Sequence, residues 1–261
     1  MTDTEVKILS PDSQKDFVSG WYELAQDSHF WMRGRLSALL KQFKNNKIPV
    51  DRTLKGLEIG CGHGVLRWQI EQKTRWTIDG VDLDLQSLKN NPPCRGKAYL
   101  YNIFDRNASL KEHYDFIILF DVIEHIADVK SFLEASAFHL KAGGWVFINV
   151  PALQEIYSNY DTFVGHLRRY DKNMMAKTFD EAGLKSVCIN FWGMSFLPLL
   201  WARKALLARN HQEESIVQKG FSPPGRAVNA LLRAVISAEV SLFPFPSKGT
   251  SIMAIAQKPN P

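Results

Sequence analysis

A chain of 261 residues is long enough for one full hydrophobic core and allows one or two domains. Its 45% hydrophobic and 23% charged residues are ordinary for a globular protein, and a net charge of +5 is too small to argue for a nucleic-acid partner. Three widely spaced cysteines, Cys61, Cys94 and Cys188, suggest neither a disulfide framework nor a zinc site.

The first residues, MTDTEVKILS, are polar and lack a signal-peptide core, and no apolar run approaches the ~20 residues that span a bilayer. A cytoplasmic location is therefore expected. Phe30, Arg33, Leu36, Leu39, Leu40 and Phe43 then recur at helical spacing. Trp31 lies off that stripe and is a candidate for a lid. Residues 1–50 are read as a helical extension.

From residue 54 short apolar runs alternate with helical patterns, the mark of a parallel sheet covered on both faces. Strands are predicted over 54–59, 76–81, 98–103, 114–120, 145–150, 185–191 and 250–257. Helices are predicted over 65–72, 85–90, 129–140 and 172–182. Residues 114–120 are almost unbroken in apolarity, as in a strand buried on both faces. Residues 141–144, KAGG, read as a helix stop, and Gly183 as another.

The segment LEIGCGHG, residues 57–64, carries the most chemistry. A nicotinamide site wants G-x-G-x-x-G. Here the glycines are Gly60, Gly62 and Gly64, and Val65 takes the third fingerprint position. Glu58, at the strand end, would face no cation in a dinucleotide but suits the cationic methionine end of S-adenosylmethionine. Asp82 closes the next apolar run, where a doubly wound sheet grips a ribose.

On these residues the chain resembles the class I S-adenosylmethionine-dependent methyltransferases, of the small-molecule group. The resemblance covers residues 54 to about 192 and resumes at 250. It implies a doubly wound, seven-stranded Rossmann-like sheet with an inserted helical cap between the last two strands. The methyltransferase domain would be residues 51–192 plus 250–261, and the cap 193–249. It implies S-adenosyl-L-methionine as cofactor, held by Glu58, Gly60, Cys61, Gly62, Asp82, Leu83, Asn102, Ile103, Phe120 and Asp121. Asn102 would meet the adenine amino group, and Leu83 and Ile103 would pack on the ring.

The segment Phe120-Asp121-Val122-Ile123-Glu124-His125 is similar to the family loop that passes the sulfonium. Gly165-His166-Leu167-Arg168-Arg169-Tyr170 resembles the H-x-R-x-[YF] segment of the same group. His166 and His125 are the candidate catalytic bases, since an imidazole can take a proton at neutral pH. Arg169 reads as part of a solvated face. Asp121, Glu124 and His125 offer three possible ligands within five residues, resembling quinone-biosynthesis O-methyltransferases, but loop geometry decides and no metal is assigned. Base amino methyltransferases carry [DN]-P-P-[YF] after the fourth strand of the fold. Here Asn91-Pro92-Pro93-Cys94 falls after the second predicted helix of the sheet region, so it reads as a loop and a nucleic-acid substrate is disfavoured.

The insertion holds two amphipathic stretches, 199–209 and 226–242. The second leaves Val228, Leu231, Leu232, Val235, Ile236 and Val240 as one apolar face. Peripheral contact with the inner membrane face through residues 195–245 is an added expectation. The expected activity is O-methylation of a small or lipid-linked acceptor of polyketide, quinone, glycolipid or sugar type. The rival readings are a non-catalytic cofactor-binding protein and an RNA methyltransferase.

Overall fold

The computed structural model describes residues 4–11, 27–207 and 224–260. Among the described residues eight strands form one sheet in the order β1-β4-β3-β2-β5-β6-β8-β7. The strands are β1 Val6–Ile8, β2 Lys55–Ile59, β3 Thr77–Asp82, β4 Ala98–Leu100, β5 Tyr114–Phe120, β6 Leu140–Pro151, β7 Lys185–Trp192 and β8 Ser251–Gln257. All neighbours are parallel except β8, which runs antiparallel to both β6 and β7. The helices are α1 Phe30–Asn45, α2 Val65–Glu71, α3 Leu85–Lys89, α4 Val129–Phe138, α5 Asn159–Phe163, α6 Lys172–Glu181, α7 Leu197–Leu207 and α8 Arg226–Leu242.

The predicted seven-stranded Rossmann-like sheet is the observed one, with an eighth strand added. Val6-Lys7-Ile8 is too short to read as a strand alone; it pairs with Ala98-Tyr99-Leu100 and becomes the sheet edge. A second difference concerns residues 141–144. They do not end a helix, because α4 stops at Phe138 with His139 as its C-cap. They belong to β6, where the register against β5 shifts between the Tyr114↔Leu140 and Phe116↔Trp145 pairs.

The sheet divides the core in two. Leu57, Ile117, Leu119, Ile148 and Ile252 are buried on one face beneath α4 and α6. Phe116, Ile118, Phe147, Met253 and Ile255 are buried on the other, against Leu39 and Phe43 of α1 and Trp76. Alternation along β5 and β8 sends neighbours to opposite layers. The chain leaves β2 for β3 on one side and later returns to β5 on the other. That reversal opens a crevice at the carboxyl ends of β2 and β5, the usual ligand position in such sheets.

The segment between β7 and β8 is anchored at its described ends. Glu239 on α8 is buried, and its carboxylate accepts the backbone N–H groups of Gly193, Met194 and Ser195 at 2.7, 2.8 and 2.7 Å, with the Ser195 hydroxyl also donating. Asn229 caps α1: its Oδ1 accepts from Phe30 N at 2.8 Å and its Nδ2 donates to Ser28 O at 2.9 Å. Ile236 sits over Gly34, where a Cβ would collide with Ile236 Cδ1. These contacts divide the predicted apolar face of 226–242. Ile236 is 1% exposed against α1, whereas Leu231 is 64% exposed.

Candidate active site

The turn after β2 fills the crevice. Gly60, Gly62 and Gly64 have φ of 71°, 50° and 67°, a region that glycine enters without strain. A Cβ on Gly60 would press on Val122, so that glycine also lets the two loops approach. Asn91 and Arg67 brace the turn from beneath. Asn91 Nδ2 donates to Gly62 O at 2.7 Å, while its Oδ1 accepts from Arg67 Nε at 3.0 Å and Nη2 at 2.8 Å. The Asn-Pro-Pro segment, read as a remote loop, thus begins with a residue that touches the glycine turn.

Glu58 lies fully buried under the turn and accepts from Arg67 N at 3.1 Å. Burial pushes its carboxyl up to about 7, although the Arg67 and Arg35 charges oppose this. Asp82 is buried at the end of β3. Its Oδ2 accepts from Gly62 N at 2.7 Å, and its Oδ1 from Leu83 N at 2.7 Å and Asp84 N at 3.1 Å. Burial raises its carboxyl as well, against those three donors. A carboxylate has about four lone-pair sites, so three amide donors leave capacity for a hydroxyl. Cys61 is buried in the turn, and Leu83 is half-buried beyond it. Asn102 Oδ1 accepts from Phe104 N at 3.1 Å and caps a short 3-10 turn that buries Ile103.

Across the crevice Phe120 is buried and Asp121 has φ 59°, a strained value for a side chain with a Cβ. Two elements hold Asp121. Arg35 of α1 donates to its Oδ2 at 2.6 Å, and Asn149 of β6 donates to its Oδ1 at 2.7 Å. Trp192 Nε1 in turn donates to Asn149 Oδ1 at 2.8 Å, and Trp31 stacks on Trp192 with centroids 4.5 Å apart. Arg35, Asn149 and Trp192 were not among the site residues predicted from the sequence. Arg35 is buried over the Phe120 ring, and its Nε has no partner among the described residues.

The second half of the site joins the loop after β5 to the segment before α6. Leu167 N donates to Glu124 O at 2.8 Å and stitches them together. His166 Nδ1 lies 2.9 Å from Asp161 Oδ1, and Arg169 pairs with the same carboxylate at 2.8 Å. Burial opposes a charge on Asp161, but the His166 hydrogen bond and the Arg169 guanidinium prevail and hold its carboxyl at about 2. Arg169 is buried rather than solvated, which corrects the sequence reading: its Nη1 also donates to Ala152 O at 3.1 Å. Asp161, with Ser158, closes a capping box at the start of α5, so one side chain both ends a helix and orients an imidazole.

With Nδ1 on Asp161, His166 turns Nε2 toward Glu124, whose Oε1 is 3.9 Å away. Glu124 is fully buried, and among the described residues neither of its carboxylate oxygens has a hydrogen-bond partner. Burial, then the Asp121 charge, pushes its carboxyl well above the usual range. His125 stacks edge-on to His166 at 4.9 Å and places Nδ1 3.1 Å from Gly165 O. Burial and the His166 charge lower its pKa to about 4, so it is a weak base at neutral pH. Ligand atoms of Glu124, His125 and His166 lie within 4.8 Å of one another. One carboxylate and two imidazoles suit a divalent transition metal. If a cation binds, the third ligand is His166 and not Asp121, which the Arg35 and Asn149 contacts already engage.

A glycine turn at the switch point, a buried carboxyl beneath it and a ribose-type carboxylate on the next strand define an S-adenosylmethionine-dependent methyltransferase. The chain belongs to the methyltransferase domain family whose pattern matches residues 24–189. The ubiquinone biosynthesis O-methyltransferase of Hydrogenovibrio crunogenus is 28% identical over 127 residues, 46% of this chain and 49% of that protein. This chain thus aligns with only about half the length of that curated relative. Among solved structures, a SAM-dependent methyltransferase from Archaeoglobus fulgidus superposes with a TM-score of 0.51 at 16% identity, over 85% of this chain and 94% of that one. The [4+2]-cyclase SpnF superposes with a TM-score of 0.56 at 15% identity, over 86% and 81%. These likenesses show the fold. No described helix is long and apolar enough to cross a membrane.

Proposed function

We propose that this enzyme methylates a hydroxyl group on a small or lipid-linked acceptor, with His166 as the base. The observation that carries the reading is the Asp161–His166 pair, aimed at a buried carboxyl that has no hydrogen-bond partner among the described residues. When bound, S-adenosylmethionine supplies a methyl group on a cationic sulfur. Glu58 would meet the cationic methionine amine, and the amides of the glycine turn would lie along the methionine and ribose. Asp82 would accept from a ribose hydroxyl. Phe120 and Asp121 would wall the sulfur side, while Leu83, Ile103 and Asn102 would bound the adenine. Arg35, with Nε to spare, would offer a donor to the methionine carboxylate.

On the acceptor side Asp161 keeps the Nδ1 proton of His166 in place. Nε2 is left to accept the hydroxyl proton as the oxygen attacks, and Asp161 stabilises the imidazolium that results. His125, donating through Nδ1 to Gly165, would wall and orient the acceptor rather than take its proton. The alignment of donor and acceptor supplies much of the rate. The curated relative named above has an O-methyltransferase name, which supports oxygen as the acceptor atom.

A cation on Glu124, His125 and His166 would be the second arrangement, favoured by the orphan Glu124 oxygens. It would polarise the acceptor hydroxyl as a Lewis acid. Turnover with a panel of catechol, phenol, polyketide, sugar and amine acceptors tests the proposal, run with and without a chelator. Methyl transfer to a hydroxyl that survives chelation supports the His166 base. Loss on chelation and recovery with a divalent metal assigns the cluster to a cation. Cofactor binding without transfer to any acceptor leaves a binding protein.

A further inference from the structure

Beneath the glycine turn lies a buried cation whose hydrogen-bond acceptors, among the described residues, are all neutral. Arg67 of α2 is fully buried. Its Nε and Nη2 donate to Asn91 Oδ1 at 3.0 and 2.8 Å. Its Nη1 donates to the carbonyls of Ile78, Lys97 and Gly96 at 3.1, 2.9 and 3.5 Å. Two glycines leave room for this group: a Cβ on Gly64 would lie 2.9 Å from Arg67 Nε, and one on Gly80 would lie 3.0 Å from the same atom. Bracing a turn does not by itself call for a full charge, which is costly to bury even when hydrogen-bonded.

The charge has its counterpart in Glu58. Arg67 N donates to Glu58 Oε2 at 3.1 Å, so the residue that carries the charge also touches this carboxyl. The titratable groups that bear on Glu58 are Arg67 from α2, Arg35 from α1, Asp82 from β3 and the thiols of Cys61 and Cys94. Arg35 is engaged by Asp121 at 2.6 Å, Asp82 repels, and burial pushes both thiols up so that they stay neutral. Of the two cations, Arg67 does more to oppose the cost of burying an ionised Glu58. A second link runs to the turn itself. Asn91 Nδ2 donates to Gly62 O at 2.7 Å and Gly62 N donates to Asp82 Oδ2 at 2.7 Å, which holds Gly62 at both ends. We propose that Arg67 is a positioning residue of the cofactor site that acts through two neighbours: its planar fork locks Asn91 onto the Gly62 carbonyl, and its charge lets Glu58 stand ionised beside the methionine amine. The second part rests on Glu58 being the partner of that amine.

Two measurements on the full chain test this, and neither needs an acceptor. The first follows the Glu58 carboxyl carbon by NMR in the cofactor-free protein, the signal being the one that Glu58→Gln removes. The second is calorimetric titration with S-adenosylmethionine at several pH values. Arg67→Met should raise the Glu58 midpoint by about 1 pH unit or more, and the pH at which affinity levels off should rise with it. Asn91→Ala keeps the charge, so it should leave the midpoint near wild type and weaken binding about tenfold at every pH. Arg67→Lys keeps a charge without the fork, so its midpoint should lie nearer wild type than that of Arg67→Met while its affinity falls as in Asn91→Ala. If Arg67→Met does not fold, Asn91→Asp decides: it sets a carboxylate on the guanidinium in almost the same volume and should also raise the Glu58 midpoint. An unmoved midpoint in the folded charge variant overturns the proposal, as does Asn91→Ala protein that binds as tightly as wild type. A midpoint that moves while wild-type affinity ignores pH overturns the second part through Glu58 itself, because the carboxyl then does not meet the amine.

Discussion

In the proposed binding mode Glu58 couples protonation to ligand binding in a way that can be measured. Burial holds its carboxyl near 7 in the cofactor-free protein, and an arriving ammonium favours the ionised form. S-adenosylmethionine affinity should therefore rise with pH, by up to about tenfold per unit below about 7, and level off above it. Glu58→Gln should remove that slope, as calorimetric titration at several pH values would reveal. The sign for stability is the reverse. The folded carboxyl sits above its ordinary value, so stability without cofactor falls as pH rises from about 4.5 to about 7. Asp82→Ala should weaken binding by about 10–200-fold while the fold persists. On the acceptor side His166→Gln should lower kcat by about 10²–10⁴-fold with cofactor affinity unchanged. Asp161→Asn should fall between that variant and wild type. A His125→Gln loss larger than that of His166→Gln would reverse the assignment of the base. The glycines, Glu58 and Asp82 were legible because they sit in one local turn and the strand after it. Arg35, Asn149 and Asp161 were not, since Arg35 and Asn149 act on a residue 86 and 28 positions away. Arg169 was misread because its extended segment folds back on the carboxylate of Asp161, 8 residues earlier in α5.

Helix α1 and helix α8, far apart in the chain, share one joint. Ile236 fills the space above Gly34, and Asn229 caps the start of α1. Ile236→Asp would bury an unpaired carboxylate there and should cost at least about 3 kcal/mol, read as a fall in melting temperature. Gly34→Ala should cost about 1–3 kcal/mol through overpacking, and Ile236→Val in the same chain should recover part of it. Additive effects of the two substitutions would show that the contact is not shared. Elements with strong local signals were read well. Strand β5 was placed residue for residue because every side chain from Phe116 to Phe120 is buried, and α8 because its amphipathic period is sustained. The start of β6 was missed because glycines 143 and 144 look like a stop, although pairing with β5 and β8 carries the chain through them. Strand β1 owes its existence to a partner about ninety residues later, which no local pattern reveals. The one apolar face inferred for α8 proved to be two, because period alone cannot say which apolar residues find a neighbour.

The order of strands has a consequence for how the molecule comes off the ribosome. Strand β8 lies between β6 and β7 and pairs with both along seven residues, Ser251 to Gln257, yet it is synthesised after both. Until residue 257 has cleared the exit tunnel, β6 presents an open edge of buried-type side chains, and β7 has no sheet to join. Nascent chains in that interval carry a sticky, unpaired strand edge, which is the species that aggregation and chaperones compete for. A chain cut before Ser251 should remain in that state permanently and appear in the insoluble fraction. The same 250 residues supplied with a separate 251–261 peptide should regain soluble protein if strand insertion is the missing step. An arrest sequence placed at successive points downstream of Gln257 should report pulling force only once β8 has emerged, making β8 the trigger for completion of the sheet.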